Sequence, residues 1–230
     1  MKTRITTLLI VIFAVANNSY AQLQPTLNIY KDGKILYCLS TSEIDSIKFE
    51  KNPYNGHEYV DLGLSVKWAT CNVGASSPED TGYYFAWGET SPKSTYDWST
   101  YKYCNGTNKT LTKYCTDSYY GTVDNKTELD LSDDAAHVNW GGNWRMPTHK
   151  EFLELIENCS YEVLTILGDP FIKVIGPNGN FIFMPDIADY WTTSGSGGDG
   201  AYAFYYHFRG GMQTTGSGRN NGYYIRPVCP

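Results

Sequence analysis

The sequence predicts an α+β domain of short antiparallel sheets, one or two helices and long loops, preceded by a small β-hairpin unit. Charged residues make up only 18% of the 230 residues, and 20 residues are tyrosine. This composition is typical of a loop-rich, β-containing fold stabilised by aromatic packing, and not of a helical bundle. The best-defined helical spacing of apolar residues begins at Thr148, whereas short segments bounded by turn residues recur along the chain.

The first 21 residues have the pattern of a signal peptide. Lys2 and Arg4 precede an apolar stretch over residues 5–16, and Ser19-Tyr20-Ala21 supplies the small residues of a cleavage site. The apolar stretch is too short to span a bilayer as a helix. We therefore expect an exported protein in the periplasm, at the cell surface or outside the cell, with no transmembrane segment.

A separate β-hairpin unit is predicted over residues 22–51. Two apolar segments, Leu27–Tyr30 and Lys34–Tyr37, flank Asp32-Gly33, and this spacing favours a tight hairpin turn. Because a lone hairpin is only marginally stable in water, the unit is expected to pack on something larger.

The main domain is predicted to span residues 57–230, after a linker at residues 52–56. Two short strands are expected within residues 58–70, and an aromatic strand over residues 83–88. The polar stretch 91–126 shows little periodicity. It is therefore expected to be a long surface insertion, a kind of loop that is often functional or mobile.

A short helix is expected to start near residue 132, and the clearest helix of the chain begins after Thr148. Thr148 and Glu151 have the spacing of a capping box, in which each side chain satisfies a free backbone N–H at the start of the helix. Residues with helical spacing on the core-facing side follow, namely Phe152, Leu155, Ile156 and Cys159.

Three further elements are expected toward the C terminus. Residues 171–184 predict a hairpin around Asn178-Gly179, and residues 202–208 and 223–228 predict two strands. The glycine-rich connection 209–222 is expected to be an exposed loop.

Alternation along residues 202–208 separates one wholly aromatic face of the strand from the other face. The aromatic face is expected to point to the core. Its members are Tyr202, Phe204, Tyr206 and Phe208. The opposite face, with Tyr205 and His207, is expected to be exposed.

Six motifs between His57 and Cys229 resemble the Fibrobacter succinogenes major paralogous domain of exported Bacteroidetes proteins. In order they are Tyr59–Leu64, Lys67–Ala75, Tyr84–Thr90, Trp140–Thr148, Gly176–Gly179 and Arg226–Val228. The resemblance implies a C-type-lectin-like fold, which also underlies formylglycine-generating enzymes and several receptor-binding proteins. It carries no catalytic residues over to this chain, because a fold does not fix a function.

The chain departs from its relatives before the Tyr190-Trp191 pair. Only residues 186–189 lie there, where relatives have a longer glycine-containing loop close to the ligand-binding loop of lectin-like folds. The sequence signatures of calcium-dependent sugar binding are also missing, so the resemblance does not imply a lectin-type calcium site.

The best candidate for an exposed aromatic ligand contact is Trp98, together with Tyr96, Tyr101 and Tyr103 in the polar insertion. The alternative is that these side chains anchor the insertion to the domain.

The chain has six cysteines, and an even number in an exported protein suggests disulfides. Cys104 and Cys115 are close enough in sequence to form a local bridge, which would contribute about 2–3 kcal/mol. Cys71, Cys159 and Cys229 are further candidates, although sequence cannot choose the pairing. The alternative is a reactive cysteine pair, but no cluster of basic residues lies near any of them in sequence.

Charge and motif content argue against several functions. A formal charge of −6 disfavours nucleic-acid binding, and no nucleotide or cofactor motif occurs. Asp133-Asp134 would suit calcium chemically, but no third carboxylate is spaced to complete a shell, so helix capping is favoured. Glu89 has no partner carboxylate for glycoside hydrolysis, so a structural role at a turn is favoured.

These observations predict an exported, non-enzymatic binding module that recognises a glycan or a cell-envelope protein through residues 91–126 and 209–222. Tyr-, Gly-, Asn- and Ser-rich loops suit this role because they combine adaptable hydrogen bonding with rigid aromatic contacts. Two alternatives stay open, an enzyme of the formylglycine-generating type and a structural or assembly protein of the cell envelope that docks through residues 22–51.

Overall fold

The computed structural model divides the chain into two units, residues 1–50 and residues 51–230. The predicted signal peptide and residues 41–52, including Ile44, Ile47 and Phe49, lie outside the described residues. The structure describes residues 26–31, 34–40, 53–166, 169–185, 189–207 and 211–230.

The first unit contains the predicted hairpin. Strands β1 (Thr26–Lys31) and β2 (Lys34–Ser40) pair antiparallel, with Thr26 opposite Ser40 and Lys31 opposite Lys34. The register shifts between Ile29 and Tyr30, which marks a bulge. The hairpin is therefore confirmed.

The second unit is a mixed α+β domain, so the predicted class is confirmed, while the lectin-like fold stays a prediction. Its first sheet joins the two ends of the unit in the order β12-β5-β4-β3. The strands are β3 (Pro53–Tyr54), β4 (His57–Val60), β5 (Lys67–Ala69) and β12 (Val228–Cys229). Pro53 and Tyr54 pair with β4, so this part of the expected linker belongs to the sheet.

Two three-stranded antiparallel sheets, of orders β6-β7-β8 and β11-β10-β9, make up most of the C-terminal half. The first contains β6 (Ser160–Ile166), β7 (Asp169–Ile175) and β8 (Phe181–Pro185), and includes the predicted hairpin around Asn178-Gly179. The second contains β9 (Tyr190–Gly197), β10 (Gly200–His207) and β11 (Gly211–Gly218).

Both expected helices are present. A turn of 3-10 helix (Leu131–Asp133) leads into α1 (Ala135–Trp140), and α2 spans His149–Asn158. The predicted capping box at the start of α2 is confirmed, since the Thr148 hydroxyl accepts from Glu151 N and the Glu151 carboxylate accepts from Thr148 N. Within the part of the chain that the structure describes, no helix is long and apolar enough to cross a membrane.

The core of the second unit consists of two clusters of buried side chains, and β10 contributes to both. Ala201 and Ala203 belong to the first cluster, and Phe204 belongs to the second, against which Tyr206 packs. The aromatic face of β10 therefore points inward at Phe204 and Tyr206, as expected. On the opposite face Ala203 is buried in the first cluster, so the expected exposure is wrong there, while Tyr205 is half-buried. Phe208 and the side chain of His207, which were also assigned to these faces, lie outside the described residues.

Three predictions about the second unit need correction. The connection 209–222 is not an exposed loop, because residues 211–218 form β11 and pair along the whole of β10. Residues 83–88 are not a strand, since the bridge between Phe85 and Tyr223 is an isolated one. The insertion 91–126 is not simply a surface loop, since its aromatic side chains contribute to the first core cluster.

Candidate functional site

A groove of about 560 Å³ opens beside the start of α2. Its lining comes from three stretches of chain, around residues 127–131, 145–150 and 193–195, together with Asp134 and Tyr202. We call it the α2 groove. Leucine side chains and the Tyr202 ring give it apolar walls, while threonine, serine and charged side chains supply hydrogen-bonding groups, which is the mixed lining that small-ligand sites use.

The floor of the α2 groove is fixed by the capping box of α2. Glu151 not only caps the helix but also pairs with the Arg145 guanidinium through both carboxylate oxygens. Hydrogen bonding to Arg145 and to Thr148, against the cost of burial, holds the pKa of Glu151 below its usual value. The pair is therefore ionised at neutral pH, and it locks the N-terminal turn of the helix in place.

Asp134 connects the groove to α1. Its carboxylate accepts from His137 N at 3.0 Å, as the N-cap of α1, and from Met146 N at 2.8 Å. Burial raises the pKa of this carboxyl above its usual value. Because backbone donors occupy both oxygens, Asp134 positions the chain before α2 and does not act as a free base.

The opposite wall is the segment Thr193–Gly195 of β9. Gly195 N donates to Thr127 O at 2.7 Å, and Leu129 N donates to Thr193 O at 3.0 Å, so residues 127–129 run alongside β9. The Thr193 hydroxyl donates to Glu128 Oε2 at 2.6 Å. The wall is thus held by backbone bonds and presents one exposed carboxylate, Glu128, at its rim.

His149 and Tyr202 form the third side of the groove. Their rings stack with centroids 3.7 Å apart and planes 7° apart. His149 Nε2 lies 2.9 Å from the Thr214 hydroxyl on β11, and the backbone N–H of His149 donates to Ser194 Oγ. Burial lowers the pKa of His149, and the Glu128 charge opposes this only in part. The imidazole is therefore neutral at neutral pH.

We expect an NMR titration to give His149 a pKa below the ordinary value of about 6.5. A folded-state pKa below the unfolded value means that His149 stabilises the fold above about pH 6.5 and that this contribution is lost as the pH falls through the lowered pKa. Tyr202→Ala should raise the pKa of His149 by exposing its ring, and His149→Gln identifies the resonance. A pKa at or above the ordinary value would contradict this description.

The catalytic options of the groove are limited. The Thr214 hydroxyl and the His149 ring are within hydrogen-bond reach, as a nucleophile and base would be. Among the described residues, however, no carboxylate hydrogen-bonds to the His149 ring to orient it. Arg145 and Asp134 hold the walls of the groove. The exposed side chains of Glu128 and Lys150 are open to a ligand.

The structure does not bring the predicted aromatic contacts into the groove. Tyr101 is 3% exposed and Tyr103 is 8% exposed, so neither presents a ring to solvent. Tyr96 and Trp98 are half-buried and pack against the first core cluster. This burial fits the alternative reading, in which these side chains anchor the insertion, and their contact with a ligand stays a prediction.

The five cysteines whose side chains the structure describes are unpaired, namely Cys71, Cys104, Cys115, Cys159 and Cys229. The expected local bridge between Cys104 and Cys115 is not formed. Each of these two thiols instead faces a backbone carbonyl, Cys104 that of Trp98 and Cys115 that of Asp117. Burial raises the pKa of Cys159 to about 11 and also raises the pKa of Cys229.

The acidic candidates have structural partners. Glu89 is buried, accepts from Lys102 N and pairs with Lys93. Asp133 pairs with Lys113 and accepts from the Tyr114 hydroxyl, and these bonds hold its pKa at about 2 against the effect of burial. Within the described residues, no three His, Cys, Asp or Glu side chains are grouped so as to hold a metal ion.

Comparison with known proteins places the chain in one family. The family model described as the Lcl C-terminal domain matches residues 59–229, about three quarters of the chain, so the protein belongs to that family. This family suggests a binding module and shows no particular ligand. Neither a curated protein nor a solved structure matches the chain. The narrower resemblance to the Fibrobacter succinogenes domain stays a prediction.

Proposed function

We propose that this protein is an exported, non-enzymatic binding module that holds its ligand, a glycan or a cell-envelope protein, in the α2 groove. The observation that carries the proposal is the groove itself. Its walls are fixed by the ion pair of Arg145 with Glu151 and by the backbone bonds of β9. A site preformed in this way binds without first paying the entropy of ordering its own groups.

The lining of the α2 groove suits binding better than catalysis. Asp134 and Glu151 are occupied by backbone N–H groups and by Arg145. The groups left at the rim, among them Lys150 and Glu128, are exposed and of opposite charge. Opposite charges at a rim favour a ligand with dispersed hydroxyl or amide groups over a strongly charged one.

The alternative of a formylglycine-generating-type enzyme requires a reactive pair of thiols. The free thiols meet the first part of that requirement. The raised pKa values of Cys159 and Cys229 work against the second, because the thiolate is the reactive form. Export rests on the first 21 residues, whose pattern is that of a signal peptide.

The proposal is tested by screening the purified protein on a broad glycan array, with calcium and again with chelator, and by repeating the screen with a groove variant. Lys150→Ala combined with Leu131→Ala removes two exposed groups from the groove wall. We expect chelator-resistant binding that this variant weakens by about tenfold.

Lys173→Ala combined with Val163→Ala is the matched control, because it removes one lysine and one exposed apolar side chain from the β6-β7-β8 sheet. This control should bind as the unchanged protein does. Equal weakening by both variants, or no effect of the groove variant on any bound glycan, would remove the groove from the proposal. If no glycan on the array binds, a protein ligand is sought instead, with the same pair of variants.

A further inference from the structure

A second surface with ligand-binding character lies around Tyr84, outside the residues that line the α2 groove. The Tyr84 side chain is 46% exposed. One face of its ring stacks on the buried Tyr224 ring, with centroids 4.3 Å apart and planes 27° apart. Because Tyr224 covers one face and nearly half of the side chain is open, the opposite face of the Tyr84 ring is the exposed one.

Contacts with Tyr96 fix the position of the Tyr84 ring. The Tyr96 hydroxyl donates to Tyr84 O at 2.6 Å, and the Tyr96 ring meets that of Tyr84 edge-on at 6.3 Å. Tyr96 in turn lies against Gly222, where an added Cβ would come within 2.9 Å of the ring. A flat aromatic surface held in this way needs no ordering when a ligand arrives.

An acidic residue, Asp189, neighbours the pair of stacked tyrosines. Asp189 O accepts from Tyr224 N at 2.9 Å, which ties Asp189 to the ring that supports Tyr84. The Asp189 side chain is half-buried, and among the described residues no group donates to its carboxylate. Burial raises its pKa. A hydrogen bond with Tyr224 raises the pKa of Tyr84 to about 12, with smaller contributions from burial and from the charges of Tyr224 and Asp189, so the phenol is neutral.

We propose that the exposed face of Tyr84 is a stacking platform for a neutral pyranose sugar, whose hydroxyl groups donate to the Asp189 carboxylate. The apolar C–H face of a pyranose ring is flat and matches an aromatic face in size. Hydroxyl groups at its edge are donors, and an ionised carboxylate is an acceptor only. Tyr84 provides the apolar stacking contact, and hydrogen bonds to Asp189 orient the sugar ring.

The charge of the surface excludes acidic sugars from this site. The carboxylate of Asp189 and the formal charge of −6 on the chain both repel sulfated or uronic-acid polymers. A polypeptide partner is less favoured, because the open apolar area is a ring face beside a carboxylate and not a broad apolar patch. This site is independent of the α2 groove and stands whether or not the groove takes a glycan.

The experiment is native gel electrophoresis of the purified protein in gels that contain a neutral polysaccharide, namely mixed-linkage β-glucan, β-mannan or arabinoxylan. We expect at least one polymer to retard the protein. Tyr84→Ala should weaken that binding about tenfold, because it removes the whole stacking surface. Tyr84→Phe keeps the ring and should stay within about threefold, and Asp189→Asn should lose about fivefold.

Tyr119→Ala is the control, since Tyr119 is also an exposed tyrosine, at 60%, but lies in the 91–126 insertion, where its ring meets Tyr120 edge-on and its hydroxyl contacts Lys109 Nζ. It should leave retardation unchanged, and circular dichroism should show Tyr84→Ala to be folded. The platform is overturned if no neutral polymer retards the protein, or if Tyr84→Ala is retarded as strongly as the unchanged protein. If only denatured casein retards the protein, and Tyr84→Ala abolishes that retardation, the Tyr84 face binds peptides. That result would contradict the proposed sugar ligand.

Discussion

Arg226→Ala is expected to lower the free energy of unfolding by about 4 kcal/mol. The side chain is 0% exposed, and its guanidinium donates to Asn72 Oδ1 and to three backbone carbonyls. These belong to Ala69, Thr70 and Phe183, at 2.6–3.0 Å. Removing the guanidinium leaves buried acceptors unsatisfied in two sheets at once.

Thermal unfolding followed by circular dichroism measures the effect. A domain of this size loses roughly 2–4 °C per kcal/mol, so the midpoint should fall by about 10 °C. Arg226→Lys keeps the charge but not the fork of donors, and should lose about half as much. Lys150→Met, a change at an exposed position on α2, is the control and should stay within about 0.5 kcal/mol. A midpoint for Arg226→Ala within about 2 °C of the unchanged protein would refute the account of this side chain.

Trp191→Ala is expected to cost about 3–5 kcal/mol, and it should weaken ligand binding as well. Trp191 is completely buried on β9, its ring lies 4.5 Å from that of Tyr223, and its Nε1 donates to Phe85 O at 2.8 Å. The same strand continues into Thr193–Gly195, which forms one wall of the α2 groove. Loss of the ring therefore removes core packing behind the site.

Chemical denaturation and the glycan array measure these two effects separately. Trp191→Phe retains most of the packing and should lose about 2 kcal/mol. Val163→Ala, at a site 47% exposed on β6, should change neither stability nor binding. Normal stability of Trp191→Ala would contradict the core assignment. Reduced stability with unchanged glycan binding would show that the β9 wall does not form the site.

Elements with local signals were predictable from sequence. The start of α2 is set by Thr148 and Glu151 within one helical turn, so the capping box could be recognised without knowing the fold. The β7–β8 hairpin is set in the same way by Asn178-Gly179 at its tip. In both cases the groups that define the element lie within a few residues of one another.

Elements defined by distant partners were not predictable. The glycine- and threonine-rich β11 has no strand-like alternation, and it is a strand because β10 pairs with it residue by residue, for example Phe204 with Thr214. The insertion 91–126 has no helical or strand period, yet Tyr101 and Leu111 are buried by tertiary contacts. Composition alone describes such segments as loops.

The candidate sites show the same division. Thr148 and Glu151 were found from their spacing, but the α2 groove also needs Ser194 and Tyr202, which only the fold brings beside the helix. Tyr84 was expected in an aromatic strand, and only its stacking on Tyr224 reveals which face is open. For Trp98 and its neighbours the sequence left open a ligand contact and a role in anchoring the insertion, and their packing against the core fits the anchoring role.

The central claim, that a ligand occupies the α2 groove, is tested most directly by an amide proton–nitrogen correlation spectrum of the purified protein. The titrant is the glycan that gives the strongest array signal. The account predicts saturable shifts that concentrate on the backbone amides of His149, Lys150 and Gly195. Saturable shifts that leave these three amides unchanged would contradict it and would place the ligand elsewhere on the domain.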